Sequence, residues 1–215
     1  MRLLVTRPES DNAVFYLSKW CEIVMNEAKI KGYEVIDLNK TNANKAKLEG
    51  IISKKKPSLV IFNGHGSEDS ISGHNKEILI KVNDNESLLK STITYSISCK
   101  SAKKLGPEAV KKGALSFLGY VDDFIFVYDK NSTATPLKDN LAKEFIEPSN
   151  ELIRALIKGN SSLESYKRSQ AKFEDNLHKM LTSESLPGSE NHVRFLFWNM
   201  RNQVVLGDKD CNIRN

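Results

Sequence analysis

The sequence predicts an α/β fold with a mostly parallel central sheet. Short apolar runs alternate with amphipathic segments through the first 120 or so residues. The run at 59–62 has no polar alternation, as expected of a strand that is covered on both faces. Two apolar runs end abruptly in a chemically capable residue, His65 and Cys99. In an open parallel sheet, ligands and catalytic groups gather at these carboxyl ends.

The first two strand–helix pairs follow from local patterns. Residues 2–7 predict a strand, and Asp11 is a helix cap before apolar positions spaced by three and four. A second strand is expected over 33–38. A lysine-rich helix should follow over about 42–55, stopped by Pro57.

A β-hairpin is predicted over residues 69–82, because turn residues separate two short β-prone runs. A short helix at 86–90 then leads into a strand at 93–99. A helix at 102–112 and a buried strand at 114–120 complete the βα alternation. The pattern indicates a doubly wound parallel sheet with a projecting hairpin.

The second half is predicted to be mainly helical within the same domain, which we expect to span 1–215. Residues 122–136 form a polar link in which 124–128 (FIFVY) could pair as an edge strand. The other expected elements are helices at about 137–146, 149–158 and 162–181 (with a capping box from Ser161 to Glu164), a loop at 183–191, a helix marked by Val193, Leu196, Phe197 and Met200, and a strand at 203–206.

Composition narrows the class of protein. Of 215 residues, 40% are hydrophobic and 27% charged, as in an ordinary soluble globular protein. No apolar run approaches the ~20 residues that span a bilayer, and the N-terminal run is too short for a signal-peptide core. We therefore expect a cytoplasmic protein that does not bind membranes.

The cysteines and the charge exclude further classes. Three cysteines without a CxxC pair argue against a disulfide framework and a structural zinc site, and no metal or cofactor is expected. The net charge is +5, but no basic block interleaves with aromatic residues. Direct nucleic-acid binding is therefore not expected.

His65 and Cys99 together suggest thiol catalysis. A thiol attacks as the thiolate, so it needs a neighbouring base, which later returns the proton to the leaving amine. Gly64 and Gly66 leave room beside His65, and the amides of Gly66 and Cys99 could bind an oxyanion. Taken singly, a strand-end cysteine is usually a small core residue and a loop histidine is usually structural. Their joint placement favours catalysis.

The other cysteines are poorer candidates for a nucleophile. Cys21 lies on the apolar stripe of the first helix and is expected in the core, whereas Cys211 lies in a polar tail with no expected role.

The segments VIFNGHG (60–66) and YSISCKSAKKLG (95–106), with the hairpin between them, resemble the caspase-like clan CD cysteine peptidases. This clan contains caspases, metacaspases, gingipains, separases and CHAT-domain peptidases. The order of elements along the chain (the histidine strand, the hairpin, the cysteine strand, a helix and a further strand) is that of the clan. Among its members, the sequence most resembles prokaryotic CHAT-domain or gingipain-like peptidases. The resemblance implies a three-layer α/β/α caspase-like fold with a hairpin after the histidine strand. It further implies a large-subunit-like core (1–125) and a small-subunit-like part (126–215).

The resemblance also implies a Cys99–His65 dyad that hydrolyses peptide bonds of a protein substrate without a cofactor. The most similar members generally prefer a basic residue before the scissile bond, so the resemblance implies cleavage after a basic residue and an acid in the pocket that reads it. The candidate acids follow the predicted strands ending at 7 and 120; they are Glu9, Asp11, Asp122 and Asp123. Ile97 departs from the metacaspase pattern, which has an acid at this position.

Relatives of this kind are often controlled by a partner protein or by self-cleavage, for which Lys130 in the polar link is a candidate site. Prokaryotic relatives often serve in antiviral defence or cell death. Two alternatives remain open: a catalytically silent caspase-like scaffold for interaction or dimerisation, and a flavodoxin-like cofactor binder. The missing phosphate-binding loop argues against the second.

Overall fold

A six-stranded sheet forms the centre of the molecule. The computed structural model describes residues 1–182, 185 and 188–214. The strands are β1 (Arg2–Arg7), β2 (Glu34–Asn39), β3 (Leu59–Asn63), β4 (Ser70–Ser72), β5 (Ile78–Lys81), β6 (Ile93–Ile97), β7 (Ser116–Tyr120) and β8 (Gln203–Gly207). The order of strands in the sheet is β2-β1-β3-β6-β7-β8. The helices are α1 (Asn12–Ile30), α2 (Lys45–Lys55), α3 (Leu105–Lys111), α4 (Asn140–Lys158), α5 (Ser162–Met180) and α6 (Val193–Asn202).

The sheet is covered on both faces. β1, β2, β3, β6 and β7 are parallel, and β8 is antiparallel to β7. Within β3, Leu59 and Ile61 pack with residues of α1 and α4, whereas Val60 and Phe62 pack with residues of α2 and α3. This three-layer α/β/α arrangement confirms the predicted fold class, including the hairpin, in which β4 and β5 pair antiparallel after the His65 strand.

Local sequence signals explain the helix starts. The Asp11 side chain caps α1 by accepting from the Val14 amide, and Asn44 caps α2 in the same way. Ser161 accepts from the Glu164 amide at the start of α5. Apart from the corrections below, the predicted boundaries agree with the structure to within about three residues.

The prediction of two helices at 137–146 and 149–158 is wrong, because α4 continues through Pro148. A proline in a helix leaves the carbonyl four residues earlier without its usual donor. Here Asn176 on α5 replaces that donor, and its Nδ2 lies 2.7 Å from the Glu144 oxygen. The Pro148 carbonyl accepts from Ser169 Oγ at 2.8 Å, so α5 stabilises the interrupted helix.

The edge strand suggested for residues 124–128 is also absent, since the outer edge of β7 is occupied by β8. Asn199 of α6 instead bonds both backbone groups of Ile125, at 2.9 Å to its nitrogen and 2.6 Å to its oxygen. Phe126 packs at tilted angles against Phe124 and Tyr128, and both Phe126 and Tyr128 contact Tyr16 of α1. Aromatic packing therefore holds this segment without sheet pairing.

The buried face of the C-terminal helix differs from the one that the sequence predicts. Leu196 and Asn199 are buried in α6, but Phe197, expected on the apolar side, is 48% exposed. The loop predicted at 183–191 falls partly on residues 183, 184, 186 and 187, which lie outside the described residues. No helix among the described residues is long and apolar enough to cross a membrane.

Candidate active site

The strand ends after β3 and β6 meet at one edge of the sheet. Asn63 pairs with Ile97, and His65 and Cys99 each lie two residues beyond that pair. Gly66 packs directly on the turn after β6: a Cβ there would lie 2.6 Å from the Cys99 oxygen and 2.9 Å from Ser98 Cβ. A glycine is therefore needed at position 66 for the two strand ends to approach this closely.

The β4–β5 hairpin fixes the backbone of His65. The His65 carbonyl accepts from the Ser72 amide at 2.9 Å and from Ser72 Oγ at 3.2 Å. Gly64 permits this approach, since a Cβ there would be 2.4 Å from the Ser72 oxygen. The predicted hairpin thus supports the candidate base.

Asp11 orients the imidazole of His65. Its Oδ2 lies 2.5 Å from His65 Nε2, while Oδ1 accepts from the Val14 amide at 3.0 Å. Burial opposes ionisation of Asp11, but the hydrogen bonds from Val14 and His65 lower its pKa below the usual range. An ionised carboxylate on Nε2 favours the tautomer with the proton on that nitrogen. Nδ1 is then the nitrogen left to accept a proton from a thiol.

The Cys99 thiol is half-buried and lies against the segment after β7. Its Sγ is 3.9 Å from the Phe124 carbonyl oxygen. Burial raises the pKa of Cys99 and the neighbouring Asp123 carboxylate raises it further, whereas a backbone hydrogen bond with Phe124 and the charge of Lys100 lower it. The thiol is therefore held mainly in its protonated, weakly nucleophilic form.

Lys100 ties the two turns together. Its Nζ lies 3.3 Å from Asp123 Oδ2 and 3.8 Å from Asp122 Oδ1. Its backbone nitrogen donates to the Asp122 carbonyl at 3.1 Å. Lys100 has φ of 59°, a left-handed conformation that costs free energy for a residue with a side chain. The turn after Cys99 thus depends on contacts with the segment after β7.

The amides proposed for the oxyanion are available. Within the described residues, neither Gly66 nor Cys99 donates its backbone N–H to another backbone group. Both belong to the two turns that Gly66 brings into contact. An oxyanion is stabilised by backbone N–H groups that have no other acceptor, so these two amides stay the candidates at this edge of the sheet.

The four candidate pocket acids do not converge. Glu9 is largely covered and lies 3.8 Å from Lys40 Nζ and 3.3 Å from Ser18 Oγ. Asp11 contacts His65, whereas Asp122 and Asp123 contact Lys100.

Sequence reasoning missed the contact of Asp11 with His65 and the contacts of Asp122 and Asp123 with Lys100. The pairing of Asp11 with His65 depends on β1 lying beside β3, and the sequence does not fix that strand order.

The other cysteines lie in the core. Cys21 is fully buried, as predicted, and burial raises its pKa to about 12. Cys211, expected in a polar tail, is instead only 5% exposed, with Sγ 3.0 Å from the Asp208 oxygen. Among the described residues, no group of three His, Cys, Asp or Glu side chains could hold a metal ion.

Comparison with solved structures relates this fold to a bacterial proteinase. The chain is similar to the Arg specific cysteine proteinase gingipain R, with TM-score 0.57 and 11% identity over 98% of this chain and 46% of that one. A complex of the Porphyromonas gingivalis RgpB pro- and mature domains gives TM-score 0.57 and 10% identity over 98% and 47% of the two chains. The chain thus spans about half the length of these structures. At this identity the likeness shows a shared caspase-like fold.

The sequence itself matches no known family model and no curated protein.

Proposed function

We propose that this protein is a cysteine endopeptidase in which Cys99 is the nucleophile and His65 the general base. The observation that carries the proposal is the contact of the two strand ends through Gly66, with Asp11 orienting His65. The similarity in fold to gingipain R supports the same reaction class.

The chemistry uses groups at this edge of the sheet. His65 Nδ1 takes the thiol proton as Sγ attacks the carbonyl carbon of the scissile bond. The developing oxyanion accepts hydrogen bonds from the Gly66 and Cys99 amides. His65 then gives the proton to the leaving amine, and a thioester remains on Cys99. Water, deprotonated by the same imidazole, attacks the thioester carbon. The C–S bond breaks, the acid product is released, and the Cys99 thiolate takes the proton back from His65.

The substrate in this proposal is a specific protein target cleaved after a basic residue. The similarity to an Arg specific proteinase supports the basic preference. Asp122 and Asp123 flank the Cys99 turn and are half-exposed, so they could meet a basic side chain in exchange for Lys100. Glu9 is a weaker candidate because its side chain is only 14% exposed.

Activation is part of the proposal, because the Cys99 thiol is held protonated beside Asp123. A partner protein, or self-cleavage after Lys130, would shift the segment after β7 and free the thiol. Lys130 is exposed on a short turn, Lys130–Ser132, where a protease could reach it. Gingipain R has a structure with its pro-domain, which supports control by a protein partner. A prokaryotic antiviral or cell-death setting, in the cytoplasm, fits such a latent enzyme.

The decisive experiment is a fluorogenic peptide panel that varies the residue before the scissile bond, run with Cys99→Ala and His65→Ala proteins in parallel. Each substitution should lower hydrolysis by at least about a thousandfold, because nucleophile and base act as a unit. His178→Ala, which changes an exposed histidine on α5, is the matched control. A peptide ketone should label Cys99 faster than the buried Cys21 and Cys211. No hydrolysis and no selective labelling would contradict the proposal.

A non-catalytic scaffold is the second candidate, and the exposed aromatic pair on α6 favours it. Phe197 is 48% exposed and Trp198 40% exposed, and such neighbouring side chains can support a protein contact. The scaffold predicts concentration-dependent dimerisation that Phe197→Ser abolishes, together with an unreactive Cys99. Selective labelling of Cys99 would argue for the enzyme.

A further inference from the structure

A cleft runs from His65 to the β4–β5 hairpin. It has a volume of about 440 Å³, within the range of ligand clefts. Its lining includes Asp11 and His65, the serines Ser70 and Ser72 of β4, and Lys76 and Ile78 of the hairpin. The candidate nucleophile Cys99 lies outside this lining.

Proton transfer decides which part of a substrate this cleft would face. The base must return its proton to the leaving amine, so the leaving segment lies on the histidine side of the thiol. In the sheet, β3 with His65 lies on one side of β6, and β7 with Asp122 and Asp123 lies on the other. The cleft is therefore on the side that receives the residues after the scissile bond.

Lys76 supplies an unpaired positive charge in this cleft. It is exposed, and within the described residues it forms no ion pair. The adjacent Glu77 is directed away, with Oε1 3.1 Å from the Lys45 amide. Asp11, which also lines the cleft, is engaged by His65 and the Val14 amide. An anionic side chain in the cleft would find Lys76 free to pair.

The hairpin turn sets the backbone conformation at Lys76. Asn75 and Lys76 both have positive φ, 51° and 61°, so the turn has a defined left-handed geometry. Ile78 is 38% exposed, although Leu79 and Ile80 beside it are fully buried. A cation next to an exposed aliphatic surface suits a peptide segment that carries both acidic and apolar side chains.

We propose that this cleft binds the polypeptide segment that follows the scissile bond, and that Lys76 selects an acidic side chain in that segment. The inference rests on the proposed peptidase function and adds the substrate class on the leaving-group side.

The test uses a proteome-derived peptide mixture digested by the full chain, with product N-termini sequenced by mass spectrometry. Asp and Glu should be enriched about two- to fivefold over Lys and Arg within the first three positions after the cleavage site, the range for one exposed ion pair. Lys76→Glu should invert this ratio. Lys90→Glu, an equal charge change just before β6 at the opposite edge of the sheet, should not. Raising the ionic strength should weaken the preference.

The outcomes separate the two proposals. Cleavage with no acidic enrichment, or an enrichment that Lys76→Glu leaves unchanged, overturns the role of Lys76 and leaves the peptidase standing. If the protein cleaves no peptide and Cys99 is not labelled, both proposals are overturned.

If Cys99 labels without turnover, binding replaces cleavage as the readout. Two peptides with free amino termini, Ala-Glu-Glu-Leu and Ala-Lys-Lys-Leu, each labelled at the carboxyl end, are titrated into Cys99→Ala protein by fluorescence anisotropy. The acidic peptide should bind about two- to fivefold more tightly, and Lys76→Glu should reverse the order. Equal affinities overturn the proposal.

Discussion

The two strand ends at the candidate site differ in how the rest of the chain holds them. On the β3 side, His65 is 42% exposed, carries Asp11 on Nε2 and opens onto a cleft. On the β6 side, Cys99 lies against the Phe124 carbonyl, and Lys100 binds the following turn to Asp123. The base is oriented and accessible, whereas the thiol is half-buried and its pKa is raised. Reactivity should therefore depend on the segment after β7 more than on the histidine loop.

The contact that joins the two sides is the most sensitive point. Gly66→Ala places a Cβ 2.6 Å from the Cys99 oxygen, so one turn must move. We expect at least about a hundredfold loss of kcat/KM, as for misplacement of reacting groups by about 1 Å. The free energy of unfolding should fall by about 1–3 kcal/mol, the usual cost of overpacking, measured by urea denaturation.

Gly50→Ala is the matched control for this substitution. Gly50 lies within α2, and a Cβ there would meet no atom within 4 Å. The change should stabilise the protein by about 0.5–1 kcal/mol and leave hydrolysis unchanged, because alanine favours a helix over glycine. Full activity of Gly66→Ala would show that the strand ends need not touch during catalysis.

The two sides also differ in how far the sequence predicts them. The turns that carry His65 and Cys99 are predictable from the sequence, because each comes directly after a short apolar run that indicates a buried strand. The pairing of His65 with Asp11 was not predictable, because 54 residues separate them and only the order β1-β3 brings them together. Segment 124–128 was misassigned for a similar reason: its β-prone composition could not show that β8 covers β7. The continuous α4 likewise depended on a distant donor, Asn176.

The histidine side can be weakened selectively at Asp11. In Asp11→Asn, the amide Nδ2 would donate to His65 Nε2 and force the proton onto Nδ1, so the nitrogen that the proposal assigns as the proton acceptor could no longer accept. We expect kcat to fall about ten- to hundredfold with KM little changed, since tautomer control contributes through the transition state. Steady-state kinetics on the best peptide of the panel measure this split.

Stability provides the control for Asp11. Asparagine caps a helix as well as aspartate does, so Asp11→Asn should unfold at nearly the wild-type urea concentration. Asp11→Ala also loses the cap of α1 and should cost about 1 kcal/mol. Equal kcat in wild type and Asp11→Asn would show that Asp11 is a cap alone and does not position the base.

The cysteine side should respond to charge at Asp123. Burial and this carboxylate raise the pKa of Cys99, so the thiolate fraction at neutral pH is small and labelling should accelerate as pH rises. Asp123→Asn removes one of the charges that raise the pKa of Cys99. The pH profile of Cys99 labelling should therefore move to lower pH, and the labelling rate at pH 7 should increase about two- to fivefold. Lys100→Ala removes a positive charge that lowers the pKa of Cys99, so it should move the profile to higher pH. Asp175→Asn on the exposed side of α5 should leave it unchanged. If the pH profile of Asp123→Asn matches that of the wild type, the Asp123 carboxylate does not contribute to the raised pKa of Cys99, and burial alone accounts for it.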